Sequence, residues 1–271
     1  MTYASIMVSV DLAGHAAARI RIAAHLADDF GALLIGVAAQ RPDHAAAPVG
    51  PTGASPCFLP ESLERTQGLI ARSHEHFRDA TQGRGRVEWR SEPVSPFHYL
   101  VEQARAADLI ILGRPAAGDS AHHRDVVDPG EFVMSAGRPV LVTPPGVDYL
   151  EAQRVVIAWK DTREARRAVF DAMPLLKRAK YVNVVALRES DHPTGAQDVA
   201  RYLQGHGVQG TVAERWIVGN TSEALVDLTS ECGADLIVMG AYGHGRLREW
   251  MFGGVTRDLL ASAPVCCLMS H

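Results

Sequence analysis

The residues with the plainest chemical pattern lie near the carboxyl terminus, where Met239-Gly240-Ala241-Tyr242-Gly243-His244-Gly245 is followed by Arg246 to Phe252 and then Gly253-Gly254-Val255-Thr256. The segment follows an apolar run that reads as a buried strand, and it opens a helical pattern. Glycines there let the backbone turn sharply and come close to a ligand, while free N–H groups at the start of a helix favour an anion such as phosphate. Thr256, in the first helical turn, could add a hydroxyl donor. His244 either donates to a phosphate or faces solvent. GxxG alone is common after strands of α/β proteins, but GxxG, nine residues, then Gly-Gly-Val-Thr is far more specific. Arg246, Arg248 and Glu249 read as an exposed face around Leu247, Trp250 and Met251, and Arg163 to Arg167 as a solvated charge run.

A loop of this kind needs a strand behind it and a helix after it, and both recur within the chain. Ala107-Asp108-Leu109-Ile110-Ile111-Leu112-Gly113 reappears as Ala234-Asp235-Leu236-Ile237-Val238-Met239-Gly240, 127 positions later. Arg138-Pro139-Val140-Leu141-Val142 echoes Ala263-Pro264-Val265-Cys266-Cys267, and Ile6 to Val10 echoes Val155 to Trp159, all in the same order. Such internal similarity marks a duplication. Each copy alternates short β-rich apolar runs with helical patterns, the signature of βαβ units around a covered parallel sheet. In the second copy the expected strands are 155–159, 181–187, 212–218, 236–239 and 265–269. The expected helices are 163–179, 196–205, 222–232 and 254–262. Asn220-Thr221-Ser222 before Glu223 supplies an N-cap, and Gly233 a stop. Gln40 to Pro60, rich in Pro, Ala and Gly, reads as an irregular loop, and Pro144-Pro145-Gly146 as the boundary between domains 1–146 and 151–271.

The glycine spacing, and the order of elements around it, resemble the universal stress protein family, whose ATP-binding members carry GxxG, nine residues, then Gly with Ser or Thr. The resemblance covers nearly the whole chain twice. It implies two tandem Rossmann-like (flavodoxin-like) domains, each a five-stranded parallel sheet sandwiched by helices. It also implies a pseudo-dimer in which Val140–Thr143 and Val265–Met269 meet, and a homodimer of such chains is a natural extension. It further implies ATP, with magnesium, or a related adenine nucleotide in the second copy. The residues it points to are Trp159, Lys160, Asp161, Leu187, Met239, Gly240, Gly243, His244, Gly253, Gly254, Val255 and Thr256. An Asp usually closes the family's first strand. Asp11 has that place in the first copy, whereas Lys160, followed by Asp161, has it in the second. Lys160 either attracts phosphate or is a surface lysine. In the first copy Gly113 is followed by Arg114-Pro115-Ala116, and Asp128-Pro129 stands where the second copy has its later glycines. Proline removes a donor and an aspartate repels phosphate, so no triphosphate is expected there.

Composition excludes other classes. With 47% hydrophobic and 21% charged residues the 271-residue chain is of ordinary globular make-up, and its net charge of −4 offers no basic footprint for nucleic acid. No apolar run reaches the length of a membrane span and no secretory signal opens the chain, so a cytoplasmic protein is expected. Cys57, Cys232, Cys266 and Cys267 lack metal-ligand spacing and read as reduced core filling, except Cys57 in its Pro/Gly-rich loop. His122-His123-Arg124-Asp125 reads as a solvated loop rather than a metal site. No paired carboxylate, triad or Walker lysine points to catalysis. Two functions follow: a nucleotide-binding stress-response protein, or a nucleotide-independent scaffold with both sites decayed. A slow ATPase is a weaker third.

Overall fold

A computed structural model describes residues 2–43, 60–115, 126–188, 190–217, 219–243 and 254–271. Its ten strands form one sheet in the order β3-β2-β1-β4-β5-β10-β9-β6-β7-β8. In the first half these are β1 (Ser5–Ser9), β2 (Leu33–Ala39), β3 (Val87–Glu92), β4 (Leu109–Gly113) and β5 (Val140–Thr143). The second half supplies β6 (Arg154–Trp159), β7 (Tyr181–Arg188), β8 (Gly210–Trp216), β9 (Leu236–Gly240) and β10 (Cys266–Ser270). Each half is parallel throughout and has the 3-2-1-4-5 order of a Rossmann sheet. The halves join where β5 meets β10 antiparallel, Leu141 opposite Leu268 and Val140 opposite Met269.

The strands are buried because both faces are covered. Ile6, Val8 and Leu109 point to one face and Met7 and Ile110 to the other, the period-two alternation of a pleated strand. One core cluster runs from Ile6 through Leu141 and Leu268 to Val155, the other from Met7 through Val142 and Cys267 to Val156, so neither core stops at the seam. The outer strands β3 and β8 carry Glu88, Arg90, Glu214 and Arg215, charges that blunt an exposed edge. Burial pushes the thiols of Cys266 and Cys267 up to about 12, as suits cysteines used for packing. Cys57, the 122–125 cluster and most of the 40–60 loop lie outside the described residues.

Among the described residues the α-helices are α1 (Ala16–Phe30), α2 (Pro60–Ala80), α3 (Pro96–Gln103), α4 (Pro129–Ala136), α5 (Arg163–Asp171), α6 (Met173–Leu176), α7 (Ala196–Gly205), α8 (Thr221–Glu231) and α9 (Val255–Ser262). Two expectations are corrected. The single helix expected over 163–179 is split at Ala172, because Pro174 cannot donate the next backbone bond. The eighth strand lies two residues earlier than expected, since pairing with β7 sets Val182 opposite Gly210 and Arg188 opposite Trp216. Asn220 caps α8 as expected, its Oδ1 accepting from the Ser222 N–H at 3.0 Å.

Candidate functional site

In the second half a cleft of about 470 Å³ opens at the carboxyl ends of β6, β7 and β9. The strand order reverses between β6 and β9, the point at which open α/β sheets receive ligands. β6 delivers Trp159 to the wall, and the turn after it delivers Lys160 and Asp161. Trp159 is fixed by its indole N–H, which donates to the Thr194 carbonyl at 2.8 Å and so anchors the turn after β7. The Asp161 carboxylate accepts from Arg166 at 2.6 and 3.2 Å, an exposed pair that holds it only weakly.

Gly240 ends β9 against the first turn of α5. A β-carbon on it would stand 2.4 Å from the Ala165 nitrogen and 2.6 Å from the Glu164 carbonyl carbon. Glycine is therefore needed there for helix-on-strand packing, whatever else the loop does. Three residues on, a β-carbon on Gly243 would meet Glu164 Oε2 at 3.0 Å and Thr162 Oγ1 at 3.1 Å. Thr162 is the N-cap of α5, its hydroxyl accepting from the Ala165 N–H. Glu164 is buried, so the solvated-face reading of 163–167 is wrong at this residue. Burial alone would raise its pKa, but hydrogen bonds from Arg163, its own backbone and Thr162 hold it below the usual carboxylate value. Arg163 and Glu164 thus form a neutral pair beside the glycine loop.

α9 closes the cleft. Its N-cap, Gly254, contributes no side-chain cap, so among the described residues no side-chain acceptor satisfies the first N–H groups of this helix. Thr256 is buried, and its hydroxyl oxygen accepts from the Tyr242 N–H at 3.3 Å, tying the loop entry to the helix start. Tyr242 has φ of 55°, unusual for a non-glycine residue. Of the twelve residues singled out by sequence, Trp159, Lys160, Asp161, Leu187, Met239, Gly240, Gly243, Val255 and Thr256 line this cleft. Gly254 lies beside it as the N-cap of α9. His244 and Gly253 lie outside the described residues. Sequence reading missed Thr162, Arg188, His192 and Thr194, which also line it. The Thr-x-Glu start of α5 signalled the cap at Thr162, but nothing local marked the other three.

The first half has a counterpart of about 130 Å³, with Arg19 in its wall. Arg19 is 3% exposed; its Nε donates to the Ser9 carbonyl at 2.8 Å. Its Nη2 lies 2.8 Å from Asp11 Oδ2 in an ionic contact without an aligned hydrogen bond. Asp128 caps α4 by accepting the Glu131 N–H at 2.7 Å, so the protein's own carboxylate takes the anion's place. Arg19→Ala should lower stability by about 2 kcal/mol, through a cavity and an undonated Ser9 carbonyl. It should bring no nucleotide binding to this half while Asp128 stays. Urea unfolding and a titration with ATP check the two statements.

Residues 151–271 match the model of the universal stress protein family. The carboxyl-terminal half is a universal stress protein domain. A curated universal stress protein of Synechocystis is 24% identical over 164 residues, and the aligned part spans 58% of this chain and about half, 56%, of that relative's length. A universal stress protein of Archaeoglobus fulgidus superposes on 98% of the chain and 96% of its own with a TM-score of 0.72 at 16% identity. A functionally unknown protein of Pseudomonas aeruginosa covers 99% of the chain and 92% of its own, with a TM-score of 0.56 at 15% identity. At these identities the structural likeness is one of fold, and for the Archaeoglobus protein it extends over both halves. Among the described residues no group of acidic, histidine or cysteine side chains could hold a metal, and no helix is long and apolar enough to cross a membrane.

Proposed function

We propose that the universal stress protein domain at 151–271 binds ATP or a related adenine nucleotide in its cleft, as the sensing step of a stress response, while residues 1–146 form a non-binding half. The observation that carries this reading is the contrast between α4 and α9. The first helix is capped by Asp128, whereas the second begins at Gly254 with no capping side chain and opens onto the larger cleft. An anionic phosphate would be held by the N–H groups at the start of α9 and by the backbone around Gly243. The neutral Arg163–Glu164 pair neither attracts nor repels it. Apolar walls from Trp159, Val185 and Leu187 suit a flat base. Magnesium would come with the phosphates of the nucleotide, in keeping with the lack of a carboxylate cluster among the described residues. The role is binding rather than catalysis.

Native mass spectrometry of protein purified without added nucleotide, followed by titration with ATP and magnesium, tests the reading. One nucleotide per chain, with no release of inorganic phosphate, is the expected result. Two per chain would show that Arg19 and Asp128 do not close the first half. None at millimolar ATP would favour a nucleotide-independent scaffold, the reading that Lys160 supports by standing where the family resemblance leads one to expect an aspartate.

A further inference from the structure

Two cations line the cleft at the carboxyl ends of β6 and β7, the first of them on the strand that pairs with β9 and its glycine loop. β6 and β7 finish side by side, and each delivers a cation to the wall, Lys160 just past the end of β6 and Arg188 at the end of β7. No carboxylate among the described residues is within ion-pairing distance of Lys160. Its neighbour Asp161, which also lines the cleft, makes an exposed pair with Arg166 on α5. Arg188 is held in place from two sides: its guanidinium lies 4.8 Å from the centre of the Trp216 ring, and Nη1 donates to Glu214 Oε2 at 3.3 Å. Glu214 also accepts the hydroxyl of Thr194, so its charge is shared, and Arg188 Nε is buried with no partner among the described residues.

In open sheets of this kind the ligand lies in the crevice outside the carboxyl ends of the strands, at the switch point. A carboxylate there accepts the hydroxyls of a ribose, whereas an arginine accommodates a phosphate attached to it. This chain has cations at both strand ends. In the first half the corresponding carboxylate, Asp11, is matched internally by Arg19. Lys160, without a carboxylate partner among the described residues, and Arg188, whose ion pair with Glu214 leaves Nε without an acceptor among those residues, gain little from neutral hydroxyls, whereas a phosphate would give both an anionic acceptor. We propose that the cleft selects an adenine nucleotide with two separated phosphates, the 5′ group at the glycine loop and a second one on the ribose 2′ or 3′ oxygen, held by Lys160 and Arg188. This rests on the nucleotide reading above and adds to it the class of ligand.

Isothermal titration of the full chain with AMP, adenosine 2′,5′-bisphosphate and adenosine 3′,5′-bisphosphate tests it. One of the bisphosphates should bind at least about tenfold more tightly than AMP, the gain expected from charge-assisted bonds to one added phosphate. Which of the two does so assigns the ribose position. Arg188→Gln and Lys160→Gln should each narrow that ratio to about threefold or less. Lys160→Asp, a change at an exposed side chain, should turn the preference toward AMP. If AMP binds and neither bisphosphate binds more tightly, the selection is overturned and nucleotide binding stands. If no adenine nucleotide binds, both readings fall together.

Discussion

Gly240→Ala should destabilise the protein by about 3 kcal/mol, and more than Gly113→Ala, although the two glycines close the same repeated segment. The reason lies in what an added methyl group meets. At Gly240 it would stand 2.4 Å from the Ala165 nitrogen and 2.9 Å from the Ala165 Cα, backbone atoms in the first turn of α5. They can move only if the whole helix start moves, and that would strain the Thr162 cap and the buried Glu164 with it. At Gly113 the methyl would fall 1.9 Å from Arg19 Nη1, the far end of a side chain that can swing aside. The cost there is the bond to the Ser9 carbonyl and the contact with half-exposed Asp11, about 1–2 kcal/mol. Urea unfolding of the two variants, compared at their midpoints, separates the cases. Equal losses would mean that Arg19 is as immovable as a helix backbone.

That pair of glycines also shows what a sequence discloses. The run Leu236 to Gly240 is legible as a buried parallel strand because both faces of such a strand are apolar, and its repeat at Leu109 to Gly113 exposes the duplication directly. The meeting of the two final strands follows from the resemblance, and the antiparallel pairing of Leu141 with Leu268 gives it a register. Residues whose importance depends on tertiary packing were not legible. Glu164 sits in a run of charges that reads as solvated, yet β9 lies close enough against α5 to bury it. Arg19 is one charge in an alanine-rich helix, and only the fold turns it inward to fill the space beneath Gly113. Arg188 follows an apolar strand and reads as a flanking charge until β8 brings Trp216 and Glu214 against it. Thr256 was singled out as a donor to phosphate, and its oxygen has a second task, accepting the Tyr242 N–H. The asymmetry between the halves was half visible: Asp128 could be read as repelling phosphate, but not as the cap that replaces it.

Gly243→Asp should abolish the stabilisation that ATP gives, weakening binding by about 100-fold or more. The new carboxylate would project from a β-carbon 3.0 Å from Glu164 Oε2 and 3.1 Å from Thr162 Oγ1, beside the backbone proposed to receive the phosphate. A unit charge about 4 Å from one phosphate charge costs roughly 1–4 kcal/mol between the limits of water and a protein surface, and a nucleotide carries several such charges. The same carboxylate also faces Glu164, so part of the loss could come from a disturbed loop. Gly243→Asn separates the two effects, since it has the same shape and crowds the same atoms without the charge. Gly243 is not among the glycines with positive φ, so neither side chain strains the backbone. The thermal shift with ATP should be reduced in the Asn variant and absent in the Asp variant, with similar melting temperatures when no nucleotide is added. An Asp variant that melts like the Asn variant and keeps the full shift would remove the loop from the binding site and put the phosphates of the bound ATP elsewhere.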